Sequence, residues 1–119
     1  MAQGPRKLAV VFYRTQGGTE VVRNWFKDLA RDDRDAVGQD LMRVQFRWPI
    51  GMPLCRSLGN GLWEVRSDLP SNRIARVLFC IAGERILVLH DFIKKTQKTP
   101  DAELALALKR KREFEREEE

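Results

Sequence analysis

The sequence is poor in the residues from which most enzyme sites are built. It holds one histidine, one tyrosine and two cysteines among 119 residues. Cys55 and Cys80 are isolated and sit in no CxxC pattern. With a single histidine they supply too few ligands for a Cys/His zinc site. They read instead as reduced, buried thiols of a cytoplasmic protein. No GxGxxG, Walker loop, GxSxG or HExxH motif occurs, so nucleotide-cofactor chemistry and zinc hydrolysis have no support. No metal or cofactor is expected. Long hydrophobic runs are also missing. The apolar stretch from Leu8 to Tyr13 is too short for a secretory core and far too short to span a bilayer, so no membrane role is expected.

What is present is one domain's worth of chain, with 43% hydrophobic and 33% charged residues. A chain of this length buries roughly two-thirds of its unfolded surface, enough for a real core without staples. The formal net charge is +5, and it is unevenly spread. Residues 113–119 carry five Glu and one Arg, a local charge of −4, and the remaining body has 21 basic against 12 acidic residues. A compact basic body attracts polyanions, nucleic acid first. The expected organisation is a single domain over residues 1–112, followed by an acidic, frayed or disordered tail over 113–119.

Periodicity gives the order of elements. Leu8 to Arg14 is β-branched and aromatic and ends at Gly17-Gly18, which reads as a strand. Thr19 then caps a helix whose Val22, Trp25, Phe26 and Leu29 form one stripe. Asp32 and Asp33 open a second helix with the stripe Val37, Leu41 and Val44, making a helical hairpin. Beyond Pro53 the period becomes two. Leu54 to Leu58 is a weak strand, Gly59-Asn60-Gly61 a strong turn, and Leu62 to Asp68 a clear strand. Arg73 to Ala82 and Arg85 to Ile93 follow, the latter apolar on both faces as expected of an inner strand. Thr99-Pro100-Asp101 reads as a helix start, with Thr99 as cap. The fold class is α+β in the order β-α-α-β-β-β-β-α. Helices are expected on one side of a mainly antiparallel sheet, with the other side partly open.

Alternation sorts the charges within the sheet. Glu64 and Arg66 share one face, and Ile74, Arg76, Leu78 and Cys80 share another such set on the next strand. An arginine inside an apolar strand is costly unless it is paired or faces solvent. Arg76 therefore has two readings, a structural pair with Glu64 or a phosphate ligand on an open face. His90 is placed with Val88, Phe92 and Lys94, either as a satisfied structural residue or as a catalyst. Lys94, Lys95 and Lys98 fall in the five residues after the last strand.

The segment Leu87-Val88-Leu89-His90-Asp91-Phe92-Ile93-Lys94-Lys95-Thr96-Gln97-Lys98-Thr99-Pro100 resembles the signature of phage-derived HigB-like toxins of the RelE/ParE superfamily. Gly61-Leu62-Trp63-Glu64-Val65-Arg66 and Arg76-Val77-Leu78-Phe79 agree with it in order and spacing. The resemblance covers roughly residues 8–112. It implies a RelE-like fold and the toxin of a type II toxin–antitoxin system, a small endoribonuclease cutting mRNA on the ribosome. It also implies a cognate helix-turn-helix antitoxin as partner, with operator DNA contacted only through that antitoxin. Arg66 and Arg76 fall on the two strand arginines of the pattern, Lys94, Lys95 and Lys98 on its lysine cluster, and His90 on a position that is often His. Some relatives use a tyrosine near the C-terminus, whereas the only tyrosine here is Tyr13 on the first strand.

RNA cleavage through the 2′-hydroxyl needs a base, an acid and stabilisation of a pentacoordinate phosphate. The expected roles are Arg76 on the scissile phosphate and His90 or Lys94 in acid–base work. Arg66, Arg73, Lys95, Lys98 and the block Lys109, Arg110, Lys111 and Arg112 are expected to hold RNA backbone. The alternatives are a non-catalytic module that binds antitoxin or nucleic acid, and a gyrase poison of the ParE type on the same fold.

Overall fold

The β-branched stretches and helical stripes assemble around one twisted sheet in a computed structural model that describes residues 7–118. The strands are β1 (Ala9–Phe12), β2 (Cys55–Gly59), β3 (Leu62–Asp68), β4 (Ile74–Ala82) and β5 (Arg85–Ile93). The helices are α1 (Val21–Asp28), α2 (Arg31–Arg47) and α3 (Asp101–Glu117). The sheet order is β1-β5-β4-β3-β2, antiparallel throughout except that β1 runs parallel to β5. The most apolar strands, β4 and β5, are thus interior, as their two-faced hydrophobicity requires.

Each face of the sheet has its own core. On one, Val22 of α1 and Val37, Leu41 and Val44 of α2 pack on Val65, Val77, Phe79, Ile86 and Val88. Trp48, at the end of α2, closes this side with edge-to-face contacts to Trp63 and Phe79. On the other face, Leu104, Ala107 and Leu108 of α3 cover Leu78, Cys80, Leu87 and Leu89. The expectation of helices on one side is corrected: the hairpin takes one face and α3 the other, giving three layers. α3 contacts β5 and β4, and its stripe needs an apolar surface that the hairpin has not already used.

Local chemistry moves some boundaries. Glu20, not Thr19, is the N-cap residue of α1. α3 starts after Pro100, and Thr99 makes no capping bond because its hydroxyl turns into the sheet. The acidic end is the last part of α3, helical through Glu117, instead of a frayed tail. Glu115 pairs with Lys111 at 3.0 Å, Glu118 with Arg85 at 2.8 Å, and Glu113 accepts a hydrogen bond from Tyr13. Residue 119 lies outside the described residues.

One irregularity decides which way the functional residues point. Leu78 pairs with His90 but Phe79 pairs with Val88, so Leu89 is an extra residue in β5. The bulge resets the alternation. Val88 faces the hairpin, while His90 and Phe92 face α3. The sequence placement of His90 beside Val88 is corrected accordingly, and its placement beside Phe92 holds, with ring centroids 6.0 Å apart.

Candidate functional site

α3 packs on β5 and β4, and toward one end of the same sheet face β2, β3 and β4 present a run of charge. Arg56 stands opposite Glu64, and Arg66 opposite Arg76, so all four point to the same side. The loop from Lys94 to Pro100 folds back over this end. Its first residue is pinned by a 2.7 Å hydrogen bond from the Lys94 amide to the Ile74 carbonyl.

Arg76 is the centre of the network and is only 4% exposed. Its Nε lies 2.9 Å from Glu64 Oε1, an ion pair whose N–H is not aimed along the contact. Nη1 donates to Thr99 Oγ1 at 3.2 Å, and Nη2 donates to the Gln97 carbonyl at 2.9 Å. Thr99 Oγ1 in turn donates to Glu64 Oε2 at 2.5 Å. Of the two fates read for Arg76, this geometry is the pair with Glu64, with both terminal nitrogens committed to the loop. A guanidinium engaged in this way holds the lysine loop in place. The pair also explains how Glu64, itself 4% exposed, is tolerated in the sheet.

The lysines lie where that loop presents them. Lys95 and Lys98 are exposed, and Lys94 is half-buried with Nζ 3.4 Å from Gln97 Oε1. Arg66 is half-exposed and pairs with Asp68 at 3.6 Å. Arg73 is not part of this grouping. It faces the hairpin, where it donates to Asp33 at 3.1 Å and to Ser71 at 3.0 Å. Asp33 is held below the usual carboxylate range, chiefly by the Ser71 hydroxyl and then by Arg73.

His90 sits under the first turns of α3, beside the network but not within it. Its Nε2 is hydrogen-bonded to Glu103, and its Nδ1 lies 3.4 Å from Arg110 Nη1. Arg110 also donates to the Leu89 carbonyl at 2.8 Å, reaching the backbone of the bulge, and stacks over the Tyr13 ring. The basic block of α3 therefore divides around the helix. Lys109 and Arg112 are exposed, whereas Arg110 and Lys111 are turned toward the protein. Lys111 packs against Gly61, where an added Cβ would come within 3.1 Å of its Cε.

Four participants escaped the sequence reading: Arg56, Thr99, Glu103 and Asp91. Arg56 was accessible in principle, because the Gly59-Asn60-Gly61 turn fixes a hairpin that places it opposite Glu64. Asp91 lies on the hairpin side of β5, opposite Val77, with Oδ2 buried and unpartnered among the described residues. Burial pushes its carboxyl up to about 7, Arg110 opposes the shift and Glu103 adds to it. Among the described residues no group of three or more His, Cys, Asp or Glu is placed to hold a metal ion. No helix among them is long and apolar enough to cross a membrane.

Residues 24–112, which span both the charged sheet end and the lysine loop, match the model of the family described as Phage derived protein Gp49-like (DUF891). The chain belongs to the Gp49-like family. This is a family of toxins from toxin–antitoxin systems, related to RelE-type endoribonucleases. A search of curated proteins returns no match. The Gp49-like match includes Arg56, Glu64, Arg66, Arg76, His90 and Lys94 through Thr99, and leaves out β1 with Tyr13 and the acidic end of α3.

Proposed function

We propose that this Gp49-like protein is a HigB-like mRNA endoribonuclease acting on translating ribosomes, restrained by a helix-turn-helix antitoxin. The observation that carries the reading is the lysine loop, folded over the charged end of the sheet and anchored there by the buried Arg76–Glu64–Thr99 network. A family of RelE-related toxins supplies the prior, and the loop supplies the cationic surface that a phosphodiester backbone needs.

In this reading Lys95 and Lys98 hold RNA backbone, with the exposed Lys109 and Arg112 extending the track along α3. Lys94, half-buried at the start of the loop, neutralises charge on the pentacoordinate phosphate. His90 is the acid–base group in this reading; Glu103 holds its Nε2 and Arg110 stands 3.4 Å from its Nδ1, so the step requires Arg110 to swing off Nδ1 when RNA binds. Arg76 is a positioning residue. Its loss disturbs the lysines by releasing Gln97 and Thr99, not by removing a phosphate ligand.

The deciding measurement is induced expression followed by mapping of mRNA 5′ ends, in wild type and in a Lys94→Ala/Lys95→Ala variant. Codon-phased cuts that vanish in the variant support the ribonuclease. Damaged DNA without mRNA cuts would transfer the reading to a gyrase poison, and growth without effect to a non-catalytic binding module.

A further inference from the structure

The charged end of the sheet carries more positive charge than its own carboxylate neutralises. Arg56, Arg66 and Arg76 line a single cavity of about 90 Å³ together with Glu64, Met52, Pro53 and Leu54. Three guanidiniums thus meet one buried carboxylate. Glu64 is already committed to Arg76 and Thr99, leaving Arg56 at 3.6 Å from Oε2 without a close pairing. Arg66 faces Arg76 directly across the β3–β4 ladder, a like-charge pairing that is unfavourable unless another anion is present. Its own Asp68 contact is long, and that carboxylate is 80% exposed, so it offsets little.

We propose that Arg56 and Arg66 form a two-arginine clamp for one backbone phosphate of single-stranded RNA, with the buried Arg76–Glu64 pair as its rigid floor. The assignment rests on the ribonuclease reading and adds a binding subsite to it, shared by the edge strand β2 and its neighbour β3. The side chains of Arg56 and Arg66 are 42% and 45% exposed, open to solvent yet rooted on paired strands. A cavity of this size takes one tetrahedral anion and is too small for a nucleotide. Guanidinium forks suit it because each offers two parallel N–H donors to two phosphate oxygens. Arg56 Nη2 also donates to Thr99 Oγ1 at 3.3 Å, so the clamp shares a hydroxyl with the end of the lysine loop.

The wild-type protein is titrated first with inorganic phosphate at constant ionic strength, reading the arginine Nε–Hε resonances by NMR. Saturable shifts at Arg56 and Arg66, with Arg73 and Arg110 unmoved, are expected. Shifts no larger there than at other exposed arginines overturn the clamp, and this arm requires no variant to fold. Next, a 2′-O-methyl RNA oligonucleotide, which cannot be cleaved, is bound at several salt concentrations. Arg56→Gln and Arg66→Gln should each weaken binding about tenfold and each reduce the slope of log K against log salt, by at most about 0.7, because both arginines neutralise the same single phosphate. Unchanged slopes in both folded variants, with wild type binding normally, remove the clamp while leaving the ribonuclease reading intact. Saturable phosphate binding in a protein that ignores the oligonucleotide keeps the anion site and overturns its assignment to RNA.

Discussion

The Tyr13 hydroxyl donates a hydrogen bond to Glu113, joining the end of β1 to α3 across 100 positions of sequence. The contact raises the tyrosine pKa above its ordinary value, because the carboxylate both accepts the proton and opposes a second negative charge. The Arg110 guanidinium lies over the same ring, 5.1 Å from its centre. The acidic end of α3 is therefore a structural strap. Tyr13→Phe should cost about 1–2 kcal/mol, the range for a partly exposed hydrogen bond to a charged acceptor. Ending the chain before Glu113 should cost more, since the Glu118–Arg85 pair and the Phe114 packing go with it. Equilibrium urea unfolding of the two variants checks both, and equal stability of the truncated and full chains would show the strap to be idle.

Arg76→Ala should behave as a stability mutant before it behaves as an activity mutant. Removing one partner of a buried ion pair leaves the other charge stranded, at about 3–5 kcal/mol. Glu64 would then keep only Thr99 and the distant Arg56. Arg76→Met combined with Glu64→Leu removes both charges and should recover most of the loss. Denaturation midpoints of the single and double variants make the comparison. A single variant as stable as wild type would mean that the pair contributes nothing.

Asp91 sets an unusual pH dependence. Its folded-state pKa, raised to about 7 from 3.8, means that the folded protein binds a proton that the unfolded chain releases. The sign follows: stability is greatest below the unfolded value and is lost as pH rises from about 4 through 7, with a slope of up to about 1.4 kcal/mol per pH unit. Asp33, whose pKa is lowered, acts in the opposite direction and only on the acid side of this window. Thermal melts from pH 4.5 to 8.5 should show Tm falling in wild type and flattening in Asp91→Asn, which keeps the shape and removes the charge. A rise of Tm with pH over this range in wild type would contradict the assignment.

Thr99→Val should loosen the lysine loop without opening the sheet. The hydroxyl donates to Glu64 and accepts from Arg76 and Arg56, whereas its methyl is matched by valine. Amide hydrogen exchange at Lys94, whose N–H is held by the Ile74 carbonyl at the root of the loop, should quicken while the amides in the middle of β4 stay protected. If the Lys94 amide exchanges as slowly as in wild type, Arg76 and Gln97 alone hold the loop.

These relationships separate what a linear reading can see from what it cannot. The strands from Leu62 to Ile93 were legible because alternation and the Gly59-Asn60-Gly61 turn act locally, and the hairpin was legible from the Val37, Leu41 and Val44 stripe. The facing of His90 was not, because an inserted residue at Leu89 resets alternation and leaves no mark in composition. Thr99 was misjudged for a different reason. Its position before Pro100 is a good capping site, but a buried carboxylate on another strand competes for the same hydroxyl. Asp91 drew no reading of its own from the sequence, and only the packing of the layers shows that one of its oxygens is buried without a partner among the described residues.

The parallel pairing of β1 with β5 also governs the order in which the molecule can be made. During synthesis β1 leaves the ribosome early, yet its only partner in the sheet arrives about 75 positions later, with Arg85 to Val88. β2, β3 and β4 can form their meander meanwhile, being joined by short turns, but the hairpin-side core lacks Ile86 and Val88 until β5 emerges. The surface that would touch RNA is later still, since the lysine loop follows β5 and needs Arg76 and Glu64 already in place. The surface assigned to RNA in the proposed function is thus the last part of the fold whose supports are all in place.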